Sequence, residues 1–295
     1  MNFNQRDLLV RYPAVAGAFY PDSPDKLAEE VETYLKKAHV EPVKGRLIGL
    51  IVPHAGYVYS GWVAAYGYKL LEGKSFDTVI MVGLCHRGLK YVSVYERGVF
   101  RTPLGSVEID RDMALEIMKQ DPSRFEFDPD SHFEEHSLEV QLPFLQKILP
   151  PFKIVPILVD ESYLAKPLGD AIAKAIHGSR KNVLLIGSTD LTHYPRYEDA
   201  KKVDEDAIQS ILTLEPEEID EMNKRWMSKG IPNLHCTICS EAAVKTVMRT
   251  AKSLGANKAV LLKSANSGDV SIGYKDEVVG YATIAMVQED TDKGD

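Results

Sequence analysis

The sequence predicts an α/β protein, with a mixed, mostly parallel sheet sandwiched by helices. Three observations carry this. Short β-rich runs alternate with helix-length amphipathic stretches along the chain. Most of those runs are continuously apolar, as in Leu47-Ile48-Gly49-Leu50-Ile51-Val52, which suits strands covered on both faces. No repeat or low-complexity linker interrupts the 295 residues, so one domain is expected over 1–290, with a flexible tail over 291–295.

The clearest strands are Arg46–Val52, Thr78–Gly83, Lys153–Val159, Asn182–Gly187, Ala259–Ser264 and Val278–Val287. Each is strand-length and rich in Val, Ile and Leu. Between and around them, helices are expected over Pro24–Ala38, Gly61–Leu71, Arg111–Gln120, Ser137–Leu149, Ser162–Ile176, Ala200–Leu212, Pro216–Lys229 and Cys239–Leu254. In the last, Ala242, Val244, Val247, Met248 and Ala251 recur at helical spacing, as do Leu138, Leu142 and Leu145 before Pro150. Tyr95–Asp110, with Gly98, Pro103 and Gly105, reads as an inserted hairpin.

Composition narrows the function classes. A formal charge of −8 argues against nucleic acid as a main partner, because phosphate binding needs a basic footprint. The first residues lack the apolar stretch of a secretory signal, and no run reaches membrane-span length, so a cytoplasmic protein without membrane contact is expected. Three cysteines, Cys85, Cys236 and Cys239, are too few for a disulfide framework and suit thiols kept as ligands or nucleophiles.

Ligands of such sheets bind outside the carboxyl ends of the strands, and there the polar residues of this chain collect. Arg46–Val52 runs into Pro53-His54, Thr78–Gly83 into Leu84-Cys85-His86, and Asn182–Gly187 into Ser188-Thr189-Asp190-Leu191-Thr192-His193. A lone loop histidine is usually structural. Three at equivalent positions point to one shared crevice. Glu134-Glu135-His136-Ser137 reads most simply as a polar helix start capped by Ser137, and more sharply as an outer pair orienting a metal-bound histidine. Cys236-Thr237-Ile238-Cys239 is a single CxxC without the second pair of a structural zinc site, and it does not follow a strand as redox motifs do. The favoured reading is one thiolate ligand near Cys239, with the other cysteine packed as a small apolar residue. Dinucleotide-binding, P-loop, serine-hydrolase and His-Glu-x-x-His motifs are absent.

Taken together, Ala16-Gly-Ala-Phe-Tyr-Pro21, Pro53-His-Ala-Gly-Tyr-Val-Tyr-Ser-Gly61, Gly83-Leu-Cys-His86, Glu135-His-Ser-Leu-Glu139, Ser188-Thr-Asp-Leu-Thr-His193 and Thr237-Ile-Cys239 resemble the Memo family, in family order and over nearly the whole chain. Its prokaryotic members are also called AmmeMemoRadiSam system protein B, a naming that implies a functional link to AMMECR-type and radical-SAM proteins. The resemblance implies a fold like that of class III extradiol ring-cleavage dioxygenases, which are non-haem iron(II) enzymes. It implies His54, His86 and Cys239 as metal ligands and His193 as catalytic base, with Asp190 beside it. Tyr57 and Tyr59 would line the entrance, and Glu135, His136 and Cys236 would support the site. Two departures stand out. A cysteine replaces the dioxygenase carboxylate, which suits copper or zinc as well as iron, and Arg87 follows His86 where some members carry another histidine.

Three functions compete: an iron(II)- or copper-dependent redox enzyme acting on a small molecule, a non-catalytic scaffold binding a peptide in the same cleft, and a zinc hydrolase using Glu135 or Asp190 as base.

Overall fold

The computed structural model describes residues 9–290; the tail expected over 291–295 lies outside them. In chain order the strands are β1 (Val10–Arg11), β2 (Arg46–Val52), β3 (Thr78–Gly83), β4 (Val92–Val94), β5 (Val99–Thr102), β6 (Gly105–Glu108), β7 (Phe125–Glu126), β8 (Lys153–Leu158), β9 (Val183–Ser188), β10 (Lys258–Asn266) and β11 (Gly280–Gln288). The helices are α1 (Pro24–Lys37), α2 (Tyr57–Lys69), α3 (Arg111–Met118), α4 (Asp130–Phe133), α5 (Leu142–Ile148), α6 (Ala165–His177), α7 (Tyr197–Leu212), α8 (Pro216–Met227) and α9 (Glu241–Ser253).

Eight strands form one sheet in the order β10-β11-β2-β9-β3-β8-β4-β7. Its centre, β2-β9-β3-β8, is wholly parallel. Antiparallel pairings join β10 to β11, β11 to β2 and β4 to β8. The continuous apolar runs have the expected cause, since β3 is buried at every position and helices cover both faces. On one face Leu168, Ile172, Ile211, Val247 and Met248 pack against the sheet; on the other, Leu27, Val31, Tyr68 and Leu145 do so. Each such side chain stabilises the fold by about 1.5–3 kcal/mol. The inserted hairpin is β5–β6, and β1 pairs parallel to β5 to complete a separate three-stranded sheet.

The helices α2 and α5, which flank the site, depart from the sequence reading. α2 starts at Tyr57, four residues before Gly61, because its glycines serve packing and do not mark an end. A Cβ on Gly67 would stand 2.6 Å from Thr283 Cγ2. The helix expected over Ser137–Leu149 is a 3-10 turn, Glu139–Gln141, followed by α5, whose start carries Pro143. Ser137 caps nothing; its hydroxyl donates to Leu84 O at 2.8 Å.

All four central strands end on the same edge, delivering His54 from β2, Asp190 and His193 from β9, His86 from β3 and Asp160 from β8. The segment before α5 reaches that edge over Gly83, where a Cβ would lie 2.8 Å from both Ser137 Oγ and Leu138 Cδ2.

Candidate metal centre

His54, His86 and His136 converge, with ring nitrogens within 4.8 Å of one another. His54 is buried at the end of β2, its backbone N–H donating to Asp190 Oδ1 at 2.8 Å. Its Nδ1 lies 3.2 Å from Ser188 Oγ. That hydroxyl donates its one proton to Ser137 O at 2.5 Å and accepts from Gln141 Nε2 at 2.8 Å. It can only accept from His54, so Nδ1 carries the proton and Nε2 is left to bind another proton or a metal ion. Nε2 is buried and has no hydrogen-bond partner. Asp190 Oδ2, at 3.9 Å, is beyond hydrogen-bond length.

His86 repeats the arrangement with a different partner. Its Nδ1 is 3.0 Å from both oxygens of Glu135, which also accept from the backbone N–H groups of His86 and Ser137, each at 2.7 Å. Such outer partners fix tautomer and ring orientation in metal-binding histidines. Burial works against charge on His86, yet Cys239 and Glu135 outweigh it and push the imidazole up to about 10. Burial is likewise opposed at Glu135, where His86 and the two amides hold the carboxyl down to about 2. His136 stacks on His86 with ring centroids 4.4 Å apart. Burial and the neighbouring His54 push it down to about 4, so it is a neutral imidazole. The side chain of His86 is 39% exposed against 2% for His54, which places solvent access on the His86 side.

Cys239 precedes α9 on the same side of the sheet but is not among the three converging residues. Cys236 and burial push its thiol pKa up, against His54 and His86, which pull it down. The loop after β9 sets its position: Cys239 N–H donates to Asp190 O at 3.0 Å, and Ser240 N–H to Thr189 Oγ1 at 2.9 Å. One loop therefore holds both His54 and Cys239.

His193 sits outside the histidine cluster, half-buried, with Nδ1 3.1 Å from Leu191 O and 3.5 Å from Cys236 Sγ. Tyr194, next to it, adopts φ +71° and is held there by its N–H to Val278 O at 2.7 Å. A left-handed aromatic residue is strained, and such strain concentrates at functional sites. Asp190 does not reach His193 as expected: its carboxylate turns to His54, because successive loop residues point to different sides. Tyr57 does not line an entrance either. It is buried among Tyr20, Tyr34 and Phe144, its hydroxyl donating to Val140 O at 2.6 Å. Tyr59 is half-buried on the first turn of α2. Arg87 is exposed and pairs with Glu134.

The sequence reading missed three supports. Asp160 accepts from Cys85 N–H at 2.7 Å and Leu89 N–H at 2.5 Å, shaping the loop that carries His86; it follows β8 as His54 follows β2, so the strand-end rule would have found it. Gln141 ties Tyr68, Pro53 and Ser188 together. Glu139 is buried with Arg11 and accepts from Ala14 and Val15 N–H at 2.7 and 3.1 Å, anchoring the segment whose Phe19 packs 4.6 Å from His136.

A cavity of about 290 Å³ adjoins the centre, lined by Cys236, Cys239, Asp160, Asn223 and Met227 among others. A larger cavity, about 1120 Å³, lies where β3 and β8 begin, against Thr78 and Lys153, at the opposite end of the sheet from the histidines. No helix among the described residues is long and apolar enough to cross a membrane.

Fold and site together define an α/β protein with a cluster of three histidines, spaced as metal ligands are, at the strand ends of a mixed sheet. The chain belongs to the Memo-like protein family, whose model matches residues 11–285. It is 39% identical to a MEMO1 family protein of Methanocaldococcus jannaschii, over 93% of this chain and 98% of the relative. It is 40% identical to one of Saccharolobus solfataricus, over 92% and 97%. Among solved structures it is similar in fold to an uncharacterized protein of Escherichia coli K12, with a TM-score of 0.53 and 12% identity, over 81% of this chain and 99% of that one.

Proposed function

We propose that this chain is a metal-dependent redox enzyme of the extradiol dioxygenase type, acting on a small molecule. His54, His86 and Cys239 hold iron(II) in this reading, and His193 moves a proton. The observation that carries it is the buried, unpartnered Nε2 of His54, oriented by Ser188 and converging with the ring nitrogens of His86 and His136. A donor set of two imidazoles and a thiol fits iron, copper or zinc. Bound there, iron(II) supplies a Lewis acid and a one-electron donor.

The protein's own groups perform the rest. Glu135 and Ser188 hold the two imidazoles in their binding tautomers. His136, neutral and stacked on His86, borders the accessible side. His193 donates its Nδ1 proton toward Leu191 O, because a carbonyl only accepts, and this leaves Nε2 as the base. A cavity of about 290 Å³ suits a small substrate better than a peptide. Glu135 and Asp190, from which a hydrolytic base would be drawn, are both engaged in holding histidines.

Metal analysis of anaerobically purified protein tests the proposal. Near-stoichiometric iron is expected, lost in His54→Ala and Cys239→Ala and kept in His136→Ala. Loss in His136→Ala with retention in Cys239→Ala would make His136 the third ligand. Refusal of iron, copper and zinc alike would overturn the reading. In a screen of oxygen uptake with catechol-like compounds, His193→Ala should keep its metal and lose roughly 10²–10⁴-fold in turnover.

A further inference from the structure

Cys236 and Cys239 are free thiols three residues apart in the chain, and both line the same cavity. Cys239 follows the loop that holds His54, whereas Cys236 lies against His193, whose Nδ1 is 3.5 Å from its sulfur. Both are half-buried, so a small oxidant in the cavity reaches them. The other cysteine, Cys85, is buried with its thiol directed to Ser131 O at 3.8 Å. The backbone around the pair is pinned by Cys239 N–H to Asp190 O and Ser240 N–H to Thr189 Oγ1.

We propose that Cys236 and Cys239 form a reversible disulfide, made by a hydroperoxide and undone by a dithiol, and that its formation removes Cys239 from the metal centre. The Cys236 sulfur, losing its proton, attacks the peroxide O–O bond and becomes a sulfenic acid as the first water leaves. The Cys239 sulfur then attacks that sulfur, forming the S–S bond and releasing the second water. Two thiols lose two electrons and two protons, and one hydrogen peroxide becomes two waters. A dithiol reverses the bond by exchange, becoming a disulfide itself. Only the effect on metal rests on the function proposed above; the disulfide does not.

The test uses the metal-free full chain, treated with equimolar hydrogen peroxide, denatured and alkylated with iodoacetamide before intact-mass measurement. The three alkylated cysteines should fall to one, on Cys85, with peptide mapping joining residues 236 and 239 and dithiothreitol restoring all three. Three adducts after peroxide, a pair that includes Cys85, or irreversible oxygen addition would overturn the proposal. Protein loaded with zinc, a redox-inert probe, should release it on oxidation and rebind it on reduction. Zinc held fully by the disulfide form would overturn the coupling. Failure to take up zinc at all, with the disulfide still formed, would count against the metal centre and in favour of the thiol pair.

Discussion

At the scale of single residues, the direction of one hydroxyl proton decides which nitrogen of His54 is free. Ser188 gives that proton to Ser137 O, so it accepts from His54 Nδ1 and leaves Nε2 for a ligand. Ser188→Ala is expected to weaken zinc binding by roughly 10–100-fold, the usual effect of removing an outer partner of a metal-binding histidine, as read by chelator competition. Asp204 acts through stability. Burial pushes its carboxyl up to about 7, against the N–H and hydroxyl of Thr192 at 3.1 and 2.8 Å. Gly280 leaves it room, since a Cβ there would meet the carboxylate at 2.2 Å. The folded pKa exceeds the ordinary 3.8, so the folded state binds the proton more tightly. Its contribution is full below the ordinary value and is lost as pH rises through about 7. Urea titrations across that window should show wild-type stability falling with pH and a flatter profile for Asp204→Asn.

At the scale of elements, loops and caps do what the strands cannot. The loop after β9 reaches His54 through the Asp190 carboxylate and Cys239 through the Asp190 carbonyl, joining two segments far apart in sequence. The N-terminal segment is fastened by the buried Arg11–Glu139 pair, with Arg11 also donating to His132 O at 3.0 Å. Glu139→Gln leaves the Arg11 charge buried without its counter-ion. A stability loss of about 3–5 kcal/mol is expected from denaturant titration, the cost of removing one partner of a buried pair. The helix periodicity of Leu138, Leu142 and Leu145 was legible, yet it concealed this role. Glu139 and Gln141 look like exposed positions on a helix, and the 3-10 turn before Pro143 is what sends both inward.

At the scale of the whole molecule, a metal ion would tie β2, β3 and the start of α9 together, so binding should stabilise the fold as one unit. Zinc at about 100 times its Kd adds about 2.7 kcal/mol, enough to raise the melting temperature by several degrees in a chain of this size. His54→Ala should abolish the rise in a calorimetric scan. The central strands, the helical layers and the gathering of His54, His86 and His193 at strand ends were all readable in the sequence, because apolar runs and the residues that follow them are local signals. Pairing across the sheet is not local. The order β2-β9-β3-β8 depends on pairing between strands far apart in sequence, and the β2–β9 pairing sets His54 next to Ser188 and Asp190. The sequence by itself determined the class of fold, the family and the chemical types at the site. The tertiary structure decided that His136 stands with His54 and His86, that Asp190 serves His54 and not His193, and that Tyr57 belongs to the core. Side-chain direction in a loop is set by contacts with distant segments, and no residue carries that information in its own neighbourhood.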